Sequence, residues 1–213
     1  MRALERSEPA RLVTRGLVSA IVQLFWKYPL ADERYVTQRA WEGAILDSCP
    51  FHPRGGCGLQ KLGSYGRVEP AGVRVPRWWC PRKGASVSLL PSFLAARLPG
   101  TLRDVEHIVA TVEASGSVSA AVDVVHPPDA PGAIGLVGAL RSIRRRVRAV
   151  RAALLAIATL MPERFAGVRP TIAAFHQALG VGLGEVLVTL REQVVRHLHA
   201  LPVPLGLRPR GPG

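Results

Sequence analysis

The chain has 213 residues and a formal net charge of +13, and this length suits one large domain or two to three small modules. Its 28 basic residues include only three lysines, Lys27, Lys61 and Lys83, and therefore 25 arginines. Because arginine pairs with phosphate and with guanine edges through two hydrogen bonds, this composition favours a nucleic-acid partner. A GC-rich genome would also raise the arginine content, but codon bias does not explain why the arginines cluster.

The apolar segments exclude a membrane-spanning helix on length alone. The longest run covers 152–161, whereas a helix that spans a bilayer needs about 20 apolar residues. Charges of both signs precede any long apolar segment at the N-terminus, unlike the order in a signal peptide. We therefore expect a cytoplasmic protein with no membrane partner. In that compartment, three cysteines indicate metal binding or simple burial rather than disulfides.

The first 47 residues are predicted to be helical. Apolar residues at Leu12, Leu17, Ile21 and Leu24 have near-helical spacing, which predicts an amphipathic helix over 10–27. A second short helix is predicted from Arg34 to Ala44.

Residues 48–95 are rich in glycine and proline and contain all three cysteines. Together with a histidine they form the spacing C-x2-H-x4-C-x22-C, from Cys49, His52, Cys57 and Cys80. Zinc takes four such ligands in a tetrahedron, and a segment with so little apolar content can hardly fold on core burial alone. The alternative is that Cys57 and Cys80 are buried thiols and His52 is a surface residue. The second knuckle of a zinc ribbon would read C-x-x-C, but Lys83 stands at its last position.

A strand is predicted over Val73–Trp79, and its Arg74 and Arg77 are candidate DNA contacts. From Thr101 the pattern becomes helical. Thr101 can cap a helix with Asp104 at the position of a capping-box acid, and Ser117 can cap a second helix ending at Val125. Further helices are predicted over 133–161, 170–179 and 184–200, followed by a disordered tail from 202.

The segment RSIRRRVRAVR, residues 141–151, contains six arginines. On a helical wheel, Arg141, Arg144, Arg145 and Arg148 fall within an arc of about 100°, and Arg151 extends it. The apolar residues Ile143, Val147, Val150 and Leu154 fall on an opposing arc, with Arg146 beside them. Such a run is often only a solvated helix face. Here, however, the helix supplies no acidic partners, and like charges at this spacing destabilise a helix unless phosphates neutralise them.

Residues 48–160 contain a series of short motifs in a fixed order. These are the Cys-Pro knuckle, GSYGR (63–67), VRVPRWWC (73–80), SLLPSFL (88–94), SVSAAV (117–122) and ALRSIRRRVRAV (139–150). This order resembles that of zinc-ribbon proteins linked to bacterial insertion sequences and transposases. The resemblance implies a helix-turn-helix, DNA binding at mobile-element ends, and zinc ligands at Cys49 and Cys80. Cys57 or His52 would complete the first knuckle.

We therefore predict a mainly α protein, with a small zinc-ribbon-like β segment followed by a helix-turn-helix-like bundle. The predicted divisions are an N-terminal helical segment (1–47), a ribbon-like module (48–95), a helix-turn-helix-like domain (101–165), C-terminal helices (168–201) and a tail (202–213). One structural zinc is the expected cofactor.

The predicted function is DNA binding for a mobile element. The predicted contacts are Arg141, Arg144, Arg145, Arg148, Arg151, Arg74 and Arg77. A transposase or a second copy of the chain is a further expected partner. Catalysis is not expected, because most acids after residue 100 lie on predicted helices rather than on the strands of a nuclease core. The alternatives are a non-catalytic helical interaction module and a degenerate transposase remnant.

Overall fold

The computed structural model describes residues 21–28, 32–127 and 135–207. Within these ranges the chain forms a four-stranded sheet and seven α-helices. The strands are β1 (Ile21–Trp26), β2 (Gln60–Gly66), β3 (Arg74–Cys80) and β4 (Ala85–Pro91). The helices are α1 (Asp32–Thr37), α2 (Leu102–Ser115), α3 (Val118–Val125), α4 (Leu136–Leu160), α5 (Pro162–Phe165), α6 (Ile172–Leu179) and α7 (Val186–Gln193). The fold is therefore mixed α/β, and the prediction of a mainly α protein understated the sheet.

The sheet has the strand order β1-β4-β3-β2, so β4 lies inside it, and every residue of β4 is buried. β3 pairs antiparallel with both β2 and β4, whereas β1 runs parallel to β4. The predicted strand over Val73–Trp79 is confirmed as β3. The predicted helix over 10–27 is wrong at residues 21–26, which form β1, and residues 10–20 lie outside the described ranges. The sequence IVQLFW is rich in β-branched and aromatic residues, and its pairing with β4 overrides the helical spacing.

The predicted helices after Thr101 are confirmed with small shifts of their ends. Thr101 and Asp104 form the predicted capping box of α2, and Ser117 accepts a hydrogen bond from the backbone of Ala120 at the start of α3. The last predicted helix ends earlier, at Gln193, and a short 3-10 turn follows it. Although α4 has 25 residues, no helix in the described ranges is both long and apolar enough to cross a membrane.

One hydrophobic core joins the sheet to the helices. It includes Val75 of β3, Leu90 of β4, Val109 of α2, Ile143 of α4 and Leu190 of α7, all fully buried. The two faces of the sheet therefore have different neighbours, because Trp78 and Leu89 belong to a separate small cluster. The predicted domain boundaries stay predictions.

Two acidic residues of α2 hold the N-termini of later helices. The carboxylate of Glu106 accepts hydrogen bonds from the backbone N–H groups of Gly184 (2.6 Å) and Leu187 (2.9 Å) at the start of α7. Glu113 does the same for the first two residues of α6, at 3.0 and 3.2 Å. Burial raises the pKa of Glu106, and these hydrogen bonds offset only part of that effect. The acids of α2 therefore bind backbone amides that a helix leaves unpaired.

The segment after residue 202 is ordered by a buried arginine of α7. The fully buried guanidinium of Arg191 donates to the carbonyl oxygens of Pro204 (2.6 Å) and Leu205 (3.1 Å). It also donates to those of Ser92 (3.1 Å) and Leu94 (2.5 Å) just after β4. Burial, with a smaller effect of nearby Arg67, lowers the pKa of Arg191 to about 9.

The prediction of a disordered tail is consequently wrong for 202–207, and residues 208–213 lie outside the described ranges. Leu205 and Leu207 are buried in the main core, and the backbone N–H of Leu207 donates to the carbonyl of Leu198 at 2.7 Å. The tail is ordered because a buried cation needs acceptors and the chain supplies them there.

Ending the chain after Leu201 is expected to lower the free energy of unfolding by about 3–5 kcal/mol, because it leaves the charge of Arg191 buried without two of its acceptors. Urea denaturation measures this change. A chain ended after Leu207 is the control, since it keeps all four acceptors. Equal midpoints for the two truncated chains would contradict the role given to Arg191.

Candidate metal centre and basic helix face

The four predicted metal ligands come together at one end of the sheet. Their ligand atoms all lie within 4.8 Å of one another. The Nδ1 atom of His52 is 3.7 Å from Sγ of Cys49 and 3.4 Å from Sγ of Cys80. A tetrahedral zinc ion with sulfur at about 2.3 Å and nitrogen at about 2.05 Å would separate these atoms by about 3.6 Å. Cys49, His52, Cys57 and Cys80 are therefore able to hold a metal ion such as zinc.

Local backbone turns place three of these side chains. The N–H of Phe51 donates to the sulfur of Cys49, and that of Leu59 donates to the sulfur of Cys57, two residues further on in both cases. The N–H of His52 also donates to the carbonyl of Cys49 at 3.0 Å, which closes the first turn. These two turns lie before β2, whereas the fourth side chain, that of Cys80, ends β3. The cluster therefore joins a loop to a strand.

The contacts within the cluster shift the pKa values of Cys49 and Cys57 in opposite directions. Burial raises the pKa of the Cys49 thiol, but hydrogen bonds, of which that with His52 is the largest, outweigh it and lower the pKa to about 7. Burial and hydrogen bonds to the other two sulfurs raise the pKa of Cys57. Of the two thiols, Cys49 therefore ionises more easily. Its negative charge and its hydrogen bond then make ionisation of the neighbouring Cys57 harder.

Lys83 does not leave the ligand set incomplete. It is exposed in the turn between β3 and β4, where the N–H of Gly84 donates to the carbonyl of Cys80 at 2.9 Å. His52 is the fourth member of the cluster, so a cysteine at position 83 is not needed. The alternative of buried thiols and a surface histidine is right about the burial of Cys57 and Cys80, but His52 is half-buried and lies beside them.

Few apolar side chains surround this end of the sheet. Phe51 and Leu59 pack against the cysteines, and Trp78 packs with Ala44 and Leu89. Both groups are separate from the main core. Trp78 is only 5% exposed, so it is a core residue here and not a platform on which a base could stack.

The predicted two-sided character of the basic helix is confirmed. Arg141, Arg144, Arg145, Arg148 and Arg151 are all exposed on α4, and we call this set the arginine face. The apolar residues Ile143, Val147, Val150 and Leu154 are buried. In the part of the chain that the structure describes, no carboxylate forms an ion pair with the arginine face. Within the described residues, Arg145 donates a hydrogen bond to the carbonyl of Arg97 (3.2 Å), and Arg148 donates one to the carbonyl of Arg144 (3.4 Å).

The two arginines of β3 have different surroundings. Arg74 is exposed but donates to the hydroxyl (2.9 Å) and the carbonyl (2.8 Å) of Ser64 on β2. Arg77 is half-buried inside the sheet. Both lie on a different element from the arginine face, and their contact with DNA stays a prediction.

No protein family, curated protein or solved structure matches the chain. The resemblance to transposase-associated zinc-ribbon proteins therefore rests on the short motifs alone and stays a prediction.

The purified chain is expected to carry about one zinc ion, since four protein ligands close a tetrahedral site. Cys49→Ser, Cys80→Ser and His52→Ala should each lose most of this metal to a competing chelator, as measured by elemental mass spectrometry. Lys83→Cys is the matched control and should retain metal like the unchanged chain. If His52→Ala kept its metal and the metal content of Lys83→Cys rose, the ligands would not be the four residues named here.

Proposed function

We propose that the protein binds DNA through the arginine face of α4. The observation that supports this most directly is five exposed arginines on one side of a helix, with no carboxylate paired to them within the described residues. Like-charged neighbours three and four residues apart destabilise a helix, and phosphates remove that cost by neutralising the charges.

The dimensions of the arginine face fit a nucleic-acid backbone. From Arg141 to Arg151 the helix rises about 15 Å. That length of duplex axis carries about nine phosphates on its two strands. The first turn of α4 also contains no acidic residue, so the positive end of the helix dipole adds to the arginines instead of opposing a carboxylate.

The packing of α2, α3 and α4 supports a helix-turn-helix-like arrangement as part of this proposal. The three helices contact one another pairwise, and α2 passes to α3 through Gly116, whose φ of 73° allows the sharp turn. In three-helix DNA-binding domains the third helix enters the major groove. Here α4 would take that place, with its apolar side against α2 and α3.

A structural zinc ion completes the proposal. Four protein ligands would leave no open coordination position, so the ion would stabilise the fold and take no part in catalysis. It would tie the loop that carries Cys49 and His52 to the end of β3, where the apolar contacts are few. The motif resemblance supports a role at mobile-element ends, with a transposase or a second copy of the chain as partner.

Replacing Arg144, Arg148 and Arg151 together with alanine should weaken binding to duplex DNA and flatten its salt dependence. Each lost phosphate contact is expected to reduce the slope of log K against log salt by about 0.9. Fluorescence anisotropy with a labelled duplex, repeated over a series of salt concentrations, measures both quantities.

A charge-matched control removes three exposed arginines from other elements, Arg34, Arg103 and Arg196. It lowers the net charge equally and should leave the slope close to that of the unchanged chain. Equal losses in the two triple variants would mean that net charge alone drives binding. An unchanged slope in the α4 variant, with self-association in the absence of DNA, would favour the helical interaction module instead.

A further inference from the structure

A surface pocket of about 200 Å³ lies beside the N-terminal half of α4. Gly138, Arg141, Ser142, Arg145 and Arg146 line it from the helix, and residues 98–99 line it from the loop before α2. Pockets for whole drug-sized ligands usually measure about 300–1,000 Å³. The pocket therefore has room for a group of a larger ligand, or for a small ion.

One lining side chain is a buried guanidinium that is not fully hydrogen-bonded. Arg146 is only 5% exposed, and its Nη1 donates to the hydroxyl of Ser142. Its Nη2 is 3.5 Å from both a carboxylate oxygen of Glu69 and the carbonyl of Pro99. Its Nε is buried and has no acceptor among the described residues. A donor of this kind is more stable when a ligand supplies an acceptor.

The charge of the pocket selects the ligand class. Three guanidinium groups line it, and among the described residues a carboxylate, that of Glu69, pairs with one of them, Arg146. The charge of Asp104 also acts on Arg146, but its side chain already caps α2 through the N–H of Thr101, at 2.7 Å. The positive charge therefore exceeds the negative charge at this site. Planar guanidinium groups match the oxygens of phosphate in charge and in geometry.

Ser142 adds a neutral donor to the same pocket. Its oxygen accepts the hydrogen bond from Arg146, and this bond does not use its hydroxyl hydrogen. A tetrahedral anion can accept from this hydroxyl and from several arginines at once.

We propose that this pocket binds one phosphoryl group, held by Arg141, Ser142, Arg145 and Arg146. The phosphoryl group belongs to the backbone of a nucleic acid, to a phosphate monoester such as the 5′ end of a strand, or to free phosphate. The proposal shares Arg141 and Arg145 with the arginine face but does not rest on duplex binding.

The direct test follows the Nε–H resonance of Arg146 by NMR while inorganic phosphate is added to the full chain at constant ionic strength. The resonance is assigned by its absence in Arg146→Lys. It should shift and saturate. Gly138→Met should weaken the affinity by about tenfold or more, because methionine fills the pocket while favouring the helix more than glycine does. Arg196→Ala, which removes an exposed arginine outside both the pocket and the arginine face, should leave the affinity close to its original value.

Two single-stranded oligonucleotides that differ only in a 5′-phosphate identify the source of the group. Tighter binding of the phosphorylated strand, abolished by Gly138→Met, assigns a terminal phosphate. Equal displacement of inorganic phosphate by both strands assigns the backbone, and displacement by neither assigns a free phosphate.

The proposal that the pocket binds phosphate would be wrong if the Arg146 resonance did not shift. It would also be wrong if the resonance shifted equally in the unchanged chain and in Gly138→Met. That result leaves the arginine face intact if the triple variant of α4 still loses duplex affinity. Saturable phosphate binding without any duplex binding would support the pocket and contradict the proposed function, so the two failures are distinguishable.

Discussion

The guanidinium of Arg191 holds together parts of the chain that are far apart in sequence. It is fully buried, and four carbonyl oxygens from two segments, 92–94 and 204–205, surround it. A cation buried among carbonyl dipoles tolerates little displacement, because each lost acceptor exposes charge to an apolar environment. The position of α7 is therefore fixed against the end of β4 and against the C-terminal segment. The same contact joins the end of β4 to a helix of the common core.

The parts of the fold that depend on neighbouring residues were predictable, and those that depend on distant partners were not. Thr101, Asp104 and Ser117 mark helix starts through contacts three residues away, so α2 and α3 were predicted to within a residue or two. By contrast, β1 exists because β4 lies beside it, 65 residues later in the register from Ile21 to Ser86. The order of 202–207 likewise depends on a side chain of another element, which no local pattern reveals.

The candidate sites show the same division. Residue types and spacing were enough to name the four members of the cysteine–histidine cluster and the exposed side of α4. They were not enough to show that the four side chains meet, because that depends on where the end of β3 lies relative to the preceding loop. The pocket beside Arg146 was not predicted either, since Glu69 and Pro99 lie in two separate loops that meet Arg146 only in the folded chain. The one signal available in the sequence was the position of Arg146 on the helical wheel, beside the apolar arc.

The turn between β2 and β3 connects the two sites. Its Arg67 donates to the carbonyl of Leu98 at 2.6 Å, and its Glu69 accepts from the N–H of Gly100 at 3.2 Å and pairs with Arg146. The next strand, β3, ends at Cys80. An ion that holds β3 in place would therefore also favour the arrangement of α4 that meets phosphate. If the proposed ligands couple in this way, thermodynamic reciprocity requires each of them to raise the affinity of the chain for the other by the same factor.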